Sequence, residues 1–214
     1  MDLVLDNLDR FGRGLHTTVS LTLLSWVLAF VLGIVVASFR VSPVPPLRWL
    51  GATFTEVVRN CPLAVLFVVF FFGFPKIGVI YEPFTSAVIV LGVYTGAFVA
   101  EAVRAGLNTV AVGQAEAARS LGMTFPQVLG LVVMPQALRS VVAPLGNLFI
   151  ALTKNSSIAY TISVVELTGT AYRVGNAAAE FFPPFFAVAF GYLLLTIPSG
   201  WAVGAIERKV AVRR

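Results

Sequence analysis

Apolar residues in this chain come in long runs with few charges between them, not in the alternating or every-third-residue patterns of a soluble domain. Val19 to Phe39 is the first run, with Thr17 and Thr18 placed to cap its start and Arg40 to end it. About 20 mostly apolar residues cross a bilayer as a helix, so this run predicts a span. Pro43, Pro45 and Pro46 then predict a loop. Cys61 to Ile80 predicts a second span, with Glu56 and Arg59 in its first turns. Phe84 to Val103 predicts a third, carrying Glu101 near its end. Val128 to Thr153 predicts a fourth, interrupted by Pro135, Arg139 and Pro144, and Phe185 to Ile206 a fifth. Ser157 to Leu167 is apolar as well, but about 11 residues are too few to cross, which predicts a short or re-entrant helix. The expected fold is an all-α membrane protein with five transmembrane helices in a single domain over 1–214.

Composition agrees. Of 214 residues, 58% are hydrophobic and 12% charged, whereas a soluble domain has about 25% charged residues. Lipid is the solvent that such an excess requires. The net charge of +5 reflects basic residues lying between apolar runs, which orients a membrane protein and does not point to nucleic acid. With the N-terminus outside, ten of the fifteen basic residues fall on the inner side, Arg213 and Arg214 among them, for a net +6 inside and −1 outside. That bias predicts an N-out, C-in topology. Asp2, Asp6 and Asp9 occupy the region where a cleavable signal would be basic, so none is expected. A lone cysteine, Cys61, and a lone histidine, His16, leave no intramolecular disulfide and no metal cluster to expect. Gly92 with Gly96, and Gly200 with Gly204, are spaced for close helix packing or arise by chance among 18 glycines.

The longest inner loop holds the most specific pattern. Val112 to Gly122 is rich in good helix formers, with Ala115, Ala118, Leu121 and Phe125 making one apolar face. Glu116 and Arg119 stand three apart and can pair. Gly122 suits a left-handed helix end, and Thr124 with Gln127 suits a capping box that starts the next helix. A short helix offered on a loop is a part that can dock into another protein's groove.

With Glu116, Ala117, Ala118, Gly122, Val132, Met134 and Pro135 at their spacings, the loop resembles the E-A-A-x-x-x-G-x9-I-x-L-P signature of permeases of binding-protein-dependent ABC importers. Val and Met replace Ile and Leu. Val58-Arg-Asn-Cys-Pro62, Ala100-Glu-Ala-Val-Arg104 and Ala151-Leu-Thr-Lys-Asn-Ser-Ser-Ile-Ala159 resemble segments of the polar amino acid permeases, nearest to those of glutamate uptake. The resemblance implies a type I importer permease in a bacterial plasma membrane. It also implies that the loop is a coupling helix, about 112–122, in which Ala115, Glu116, Ala117, Ala118, Arg119, Leu121 and Gly122 meet an ATP-binding subunit dimer. ATP and Mg would sit on that partner, with no cofactor in this chain. A second permease, more readily a different one than an identical copy, and an extracytoplasmic solute-binding protein complete the implied assembly.

The competing reading is a secondary transporter or channel that works without ATP; a membrane enzyme lacks any G-x-S-x-G or H-E-x-x-H, and the chain has no phosphate loop of its own. Candidate pathway residues are Lys154, Asn155, Ser156 and Ser157, where a helix break would offer free N–H groups to a carboxylate. The bland alternative is an interfacial Lys154 with capping serines. Glu166 either meets a substrate ammonium or is solvated on the outer face. Glu101 and Arg104 are expected to serve structure or gating, and Arg59 and Asn60 to open the second span and hold the inner loop.

Overall fold

A computed structural model of the protein describes residues 2–210; Arg213 and Arg214, counted above on the inner side, lie outside them. The described residues are mostly helical, with no strand among them. In order they are α1 (Asp2–Leu5), α2 (Leu8–Val41), α3 (Pro45–Asn60), α4 (Leu63–Val68), α5 (Pro83–Asn108), α6 (Val112–Ser120), α7 (Phe125–Gln127), α8 (Met134–Asn155), α9 (Leu167–Ala178) and α10 (Phe182–Val210). Four segments are long and apolar enough to cross a membrane: α2, α5, the composite Phe125–Ile162 and α10. A fifth arises only if α3 and the segment Leu63–Ile77, bent by 103°, are taken as one broken span.

That bend corrects the second predicted span. Cys61 precedes Pro62, and a residue before proline is driven out of the helical region. Cys61 accordingly sits at φ −89°, ψ 132°, and the chain turns there. Glu56, Arg59 and Asn60 therefore close the amphipathic helix α3 and do not open the span. The span itself runs through α4, a π-helical stretch at Val69–Gly73 and a 3-10 turn at Phe74–Ile77.

The first span also begins earlier than its apolar run suggests. Thr17 and Thr18 are interior to α2, not caps. Their hydroxyls donate to the carbonyls of Arg13 and Gly14 at 3.0 and 3.1 Å, as helix-interior threonines do. Thr18 does cap a helix, but a distant one: its hydroxyl accepts the N–H of Leu167, the first residue of α9, at 3.1 Å. The fourth span continues through Pro144 without a break and passes into a 3-10 helix, Ser156–Ile162. A short helix is thus present where one was expected, but α9, packed behind it, was not anticipated.

α5 is the central element, with just over half of its apolar window buried, whereas α10 has only 6% buried. α5 lies along α2 over most of its length. A β-carbon at Gly92 would stand 2.6 Å from Leu28, one at Gly96 3.2 Å from Leu32, and one at Gly33 2.4 Å from Val99. The Gly92–Gly96 pair is therefore a packing seam. Gly200 and Gly204 are not: the nearest atoms are 3.9 and 3.6 Å away, and the second belongs to Arg208 of the same helix. Outside the seam, Leu23, Val27, Val31 and Ile34 on α2 and Phe182, Phe186, Phe190 and Trp201 on α10 stand exposed. Apolar faces of that extent are stable only against lipid or a partner.

Gly33→Val should destabilise the fold by about 1–3 kcal/mol, the usual cost of overpacking. Gly113, with no atom within 4 Å of an added β-carbon, should tolerate alanine. Thermal unfolding of the two variants in detergent, followed by size-exclusion chromatography, checks the contrast.

Candidate functional site

Three arrangements stand out: an exposed loop helix, a charge cluster and a groove. The loop helix, α6, starts after Ala111 in extended conformation (φ −61°, ψ 135°). It closes over Gly122, whose φ of +80° is strained for any residue with a β-carbon. The N–H groups of Gly122 and Met123 donate back to Arg119 and Ala118 at 2.9 and 3.2 Å, satisfying carbonyls that a helix end leaves free. Thr124 then donates its N–H to the Gln127 side chain at 2.8 Å, which starts the next helix.

The helix is turned differently from the amphipathic reading. Ala118 is buried against its own chain and Ala115 is partly so, because α6 packs on the segment Val128–Val133. Ala118 is therefore not on an outward docking face. The outward apolar surface consists of Leu121 (85% exposed), Val112 (72%) and Phe125 (64%), with Glu116, Ala117 and Arg119 exposed beside them. Glu116 and Arg119 form no ion pair; every ion pair among the described residues is made by Glu101.

Glu101 gathers three arginines from three helices. Arg104 of α5 donates to one carboxylate oxygen at 2.5 Å, Arg40 of α2 to the other at 2.8 Å, and Arg59 of α3 stands 3.8 Å off. Arg40 also donates to the Thr55 hydroxyl at 2.9 Å. Sequence reasoning placed Glu101, Arg104 and Arg59 as structural or gating candidates but missed Arg40 and Thr55. A basic residue ending one apolar run and an acid inside another was the available signal, since a charge within a span needs a partner. Asn60 does not join the cluster; its amide bonds back to Glu56 on exposed surface.

Beside this cluster runs the groove. One wall is a stripe of α5, Tyr94, Phe98, Glu101 and Ala105; the other is a stripe of α8, Ser140, Pro144, Leu148, Ala151 and Asn155. These residues recur at three- and four-residue steps, so each set shares one helix face. The part near Glu101 encloses about 380 Å³ and the part near Asn155 about 210 Å³, with Phe98 and Leu148 common to both.

Of the expected pathway residues, only Asn155 lines this groove. Lys154 is exposed, Ser157 is half-buried, and Ser156 is buried with its hydroxyl donating to the Thr153 carbonyl at 2.7 Å. No free helix N-terminus forms there: Ser156 keeps helical angles and its N–H donates to Leu152, so the expected carboxylate cradle is absent at this place. Glu166 departs from both of its readings. It is wholly buried and caps α9, accepting from the N–H groups of Thr168 and Gly169 at 2.9 and 2.8 Å and from the Tyr192 hydroxyl at 2.8 Å. Burial pushes its carboxyl above the ordinary carboxylate range, while these hydrogen bonds pull the other way. It is a helix cap that ties α9 to α10.

The molecule is a helical membrane domain with an exposed loop helix and a groove between two of its helices, and the sequence comparisons place it among known families. Residues 29–212 match the family described as binding-protein-dependent transport system inner membrane component, and the chain belongs to that family. It is thus an integral membrane component of a transport system. Over 210 residues it is 38% identical to the probable glutamine ABC transporter permease protein GlnM of Bacillus subtilis (strain 168), covering 98% of this chain and 97% of that one. It is also 38% identical to the glutamate transport system permease protein GluC of Corynebacterium efficiens, covering 92% of each. Among solved structures, an amino acid ABC transporter with histidines superposes with a TM-score of 0.92 at 32% identity, over 96% of both chains.

Glu101→Ala should be the most damaging change in the charge cluster, because it leaves three guanidiniums facing one another. Removing one partner of a buried pair costs about 3–5 kcal/mol, and the 22% exposure of the Glu101 side chain places the loss toward the lower end. Arg59→Gln, at the longest contact, should cost least. Detergent-melting midpoints of the two variants give the ranking.

Proposed function

We propose that this chain is one of two permeases of an ATP-driven importer that moves a polar amino acid, glutamate first, into the cell. The exposed Val112, which begins the helix of a signature-bearing inner loop, and Leu121 and Phe125, which follow it, carry the reading. An apolar patch of this kind on a water-facing loop calls for a protein partner, and a dimeric ATP-binding subunit is the partner that an importer requires. ATP and Mg belong to that subunit. A solute-binding protein delivers the substrate on the outer side. The groove between α5 and α8 is open on one side in a single chain, so a second permease is needed to cover it; a different chain in that place fits the glutamate-type resemblance. Orientation is N-out and C-in, which sets α6 on the cytoplasmic side. The substrate passes along the Asn155–Phe98–Arg59 face, with Lys154 as an anchor beside its outer end. Similarity to permeases described for glutamine and for glutamate supports a polar amino acid carrying at least one carboxylate.

The docking prediction follows the observed exposure. Leu121→Asp should weaken attachment of the ATP-binding subunit by about 2 kcal/mol, the scale of an interface hot spot, or roughly thirtyfold in affinity. Gly122→Val should act in the same direction by misdirecting the loop. Co-purification and uptake in reconstituted vesicles measure both, and wild-type behaviour in the two variants would remove α6 as the joint.

Topology has its own test. In a background lacking Cys61, cysteines introduced at Asp6 or Asn176, both exposed, should react with a membrane-impermeant maleimide in intact cells. One at Gln114 should react only after lysis. Labelling of Gln114 from outside would reverse the orientation and remove the cytoplasmic coupling role.

A further inference from the structure

We propose that Arg59 is a carboxylate-binding residue of the translocation groove, taking the α-carboxylate of the amino acid at the groove's inner end. The proposal rests on the amino acid import reading and adds a specific contact to it. Charge balance is the first observation. Three guanidiniums share one carboxylate, so the cluster carries two positive charges in excess, and among the described residues Glu101 is the only acid lining the groove. An excess of that kind in a partly buried place favours the approach of an anion, because unpaired charge away from water is costly.

The second observation is that the three arginines are not equivalent. Arg104 and Arg40 hold the two oxygens of Glu101 at hydrogen-bond distance, and Arg40 is also tied to Thr55. Arg59 stands 3.8 Å away, beyond hydrogen-bond range. Its side chain is the most exposed of the three, at 34% against 31% and 15%. Its Nε is nonetheless buried and has no partner. A guanidinium is a planar fork of five N–H donors matched to a carboxylate, and this one has donors left over.

The third observation is its position. The Arg59 guanidinium lies over the Phe98 ring, 5.2 Å from the centroid, and Phe98 lines both parts of the groove. An aromatic face holds a guanidinium by cation–π attraction without consuming its in-plane donors. Arg59 is therefore supported from below, loosely held at one side, and presented to a space of about 380 Å³, which is within the range of small-molecule sites. The facing Ser140 is uncharged, its hydroxyl donating to the carbonyls of Ala137 and Gly106 at 2.8 and 3.2 Å. An ammonium has no free acid to meet here; a carboxylate has Arg59.

The test uses the assembled permease–ATPase complex, with equilibrium binding of radiolabelled glutamate competed by unlabelled glutamate or by its α-amide, which lacks the α-carboxylate. The parent complex should prefer the free acid by about tenfold or more, the scale of a charge-assisted hydrogen bond. Arg59→Gln should abolish that preference, and Arg59→Lys, which keeps the charge but not the fork, should retain part of it. Phe98→Leu removes the supporting ring and should weaken the preference even if Arg59→Gln fails to assemble. An undiminished preference in Arg59→Gln or, where that variant does not assemble, in Phe98→Leu overturns the proposal, as does a parent complex that imports glutamate with its binding protein yet binds acid and amide alike. A parent complex that imports no amino acid at all overturns the import reading itself, a distinct result from the same preparation.

Discussion

The close approach of α2 and α5 is the constraint on which the rest of this structure depends. In lipid there is no hydrophobic gain from bringing two apolar helices together, so packing and polar contacts must hold them. Gly33, Gly92 and Gly96 remove the side chains that would keep the two backbones apart, and Leu28, Leu32 and Val99 fill the space so made. Leu21, Leu91, Val36 and Ala100 extend the same contact toward both ends. With that seam closed, one face of α5 is committed to α2, and the stripe bearing Tyr94, Phe98 and Glu101 is left to line the groove.

The charge cluster completes the seam at the end of α5 nearer α6. Arg40 leaves α2, Arg59 leaves α3, and both reach Glu101 on α5, so a single carboxylate ties three helices that share few other polar contacts. Because a charge inside a span is costly unless paired, the cluster also fixes which way α3 can sit after the bend at Cys61–Pro62. The loop helix α6 is joined to α5 through Thr109–Ala111 and to the next membrane segment through Leu121–Thr124. Both groove walls thus connect to α6 through short linkers, so a displacement of α6 bears on both walls.

Much of this was legible in the chain. Long apolar runs located four of the crossing segments to within a few turns, because a bilayer demands length and apolarity of every crossing element. The loop pattern, with Gly122 at a position needing positive φ, marked the short helix α6 and its end because that requirement is local. The broken second span was misread for a specific reason: Arg59 and Glu56 adjoin the apolar run in sequence, and only the extended backbone at Cys61 places them on another helix. Glu166 was misread because an acid after an apolar stretch looks solvated, while its partners, Tyr192 and the start of α9, are defined by folding.

The sequence by itself determined that this is a helical membrane component, where four of its crossing segments lie, that a short helix stands on the loop after α5 and, through its motifs, its family. These properties reside in consecutive residues and in their local periodicity. Only the tertiary structure decided that Ala118 faces inward and Leu121 outward, that Arg40 completes the Glu101 cluster, and that Asn155 reaches the groove while Ser156 and Glu166 do not. Each of these depends on the rotation of one helix about its own axis against another. That rotation is set by close contacts between residues far apart in the chain, such as Gly33 with Val99 and Thr18 with Leu167, and no local pattern encodes it.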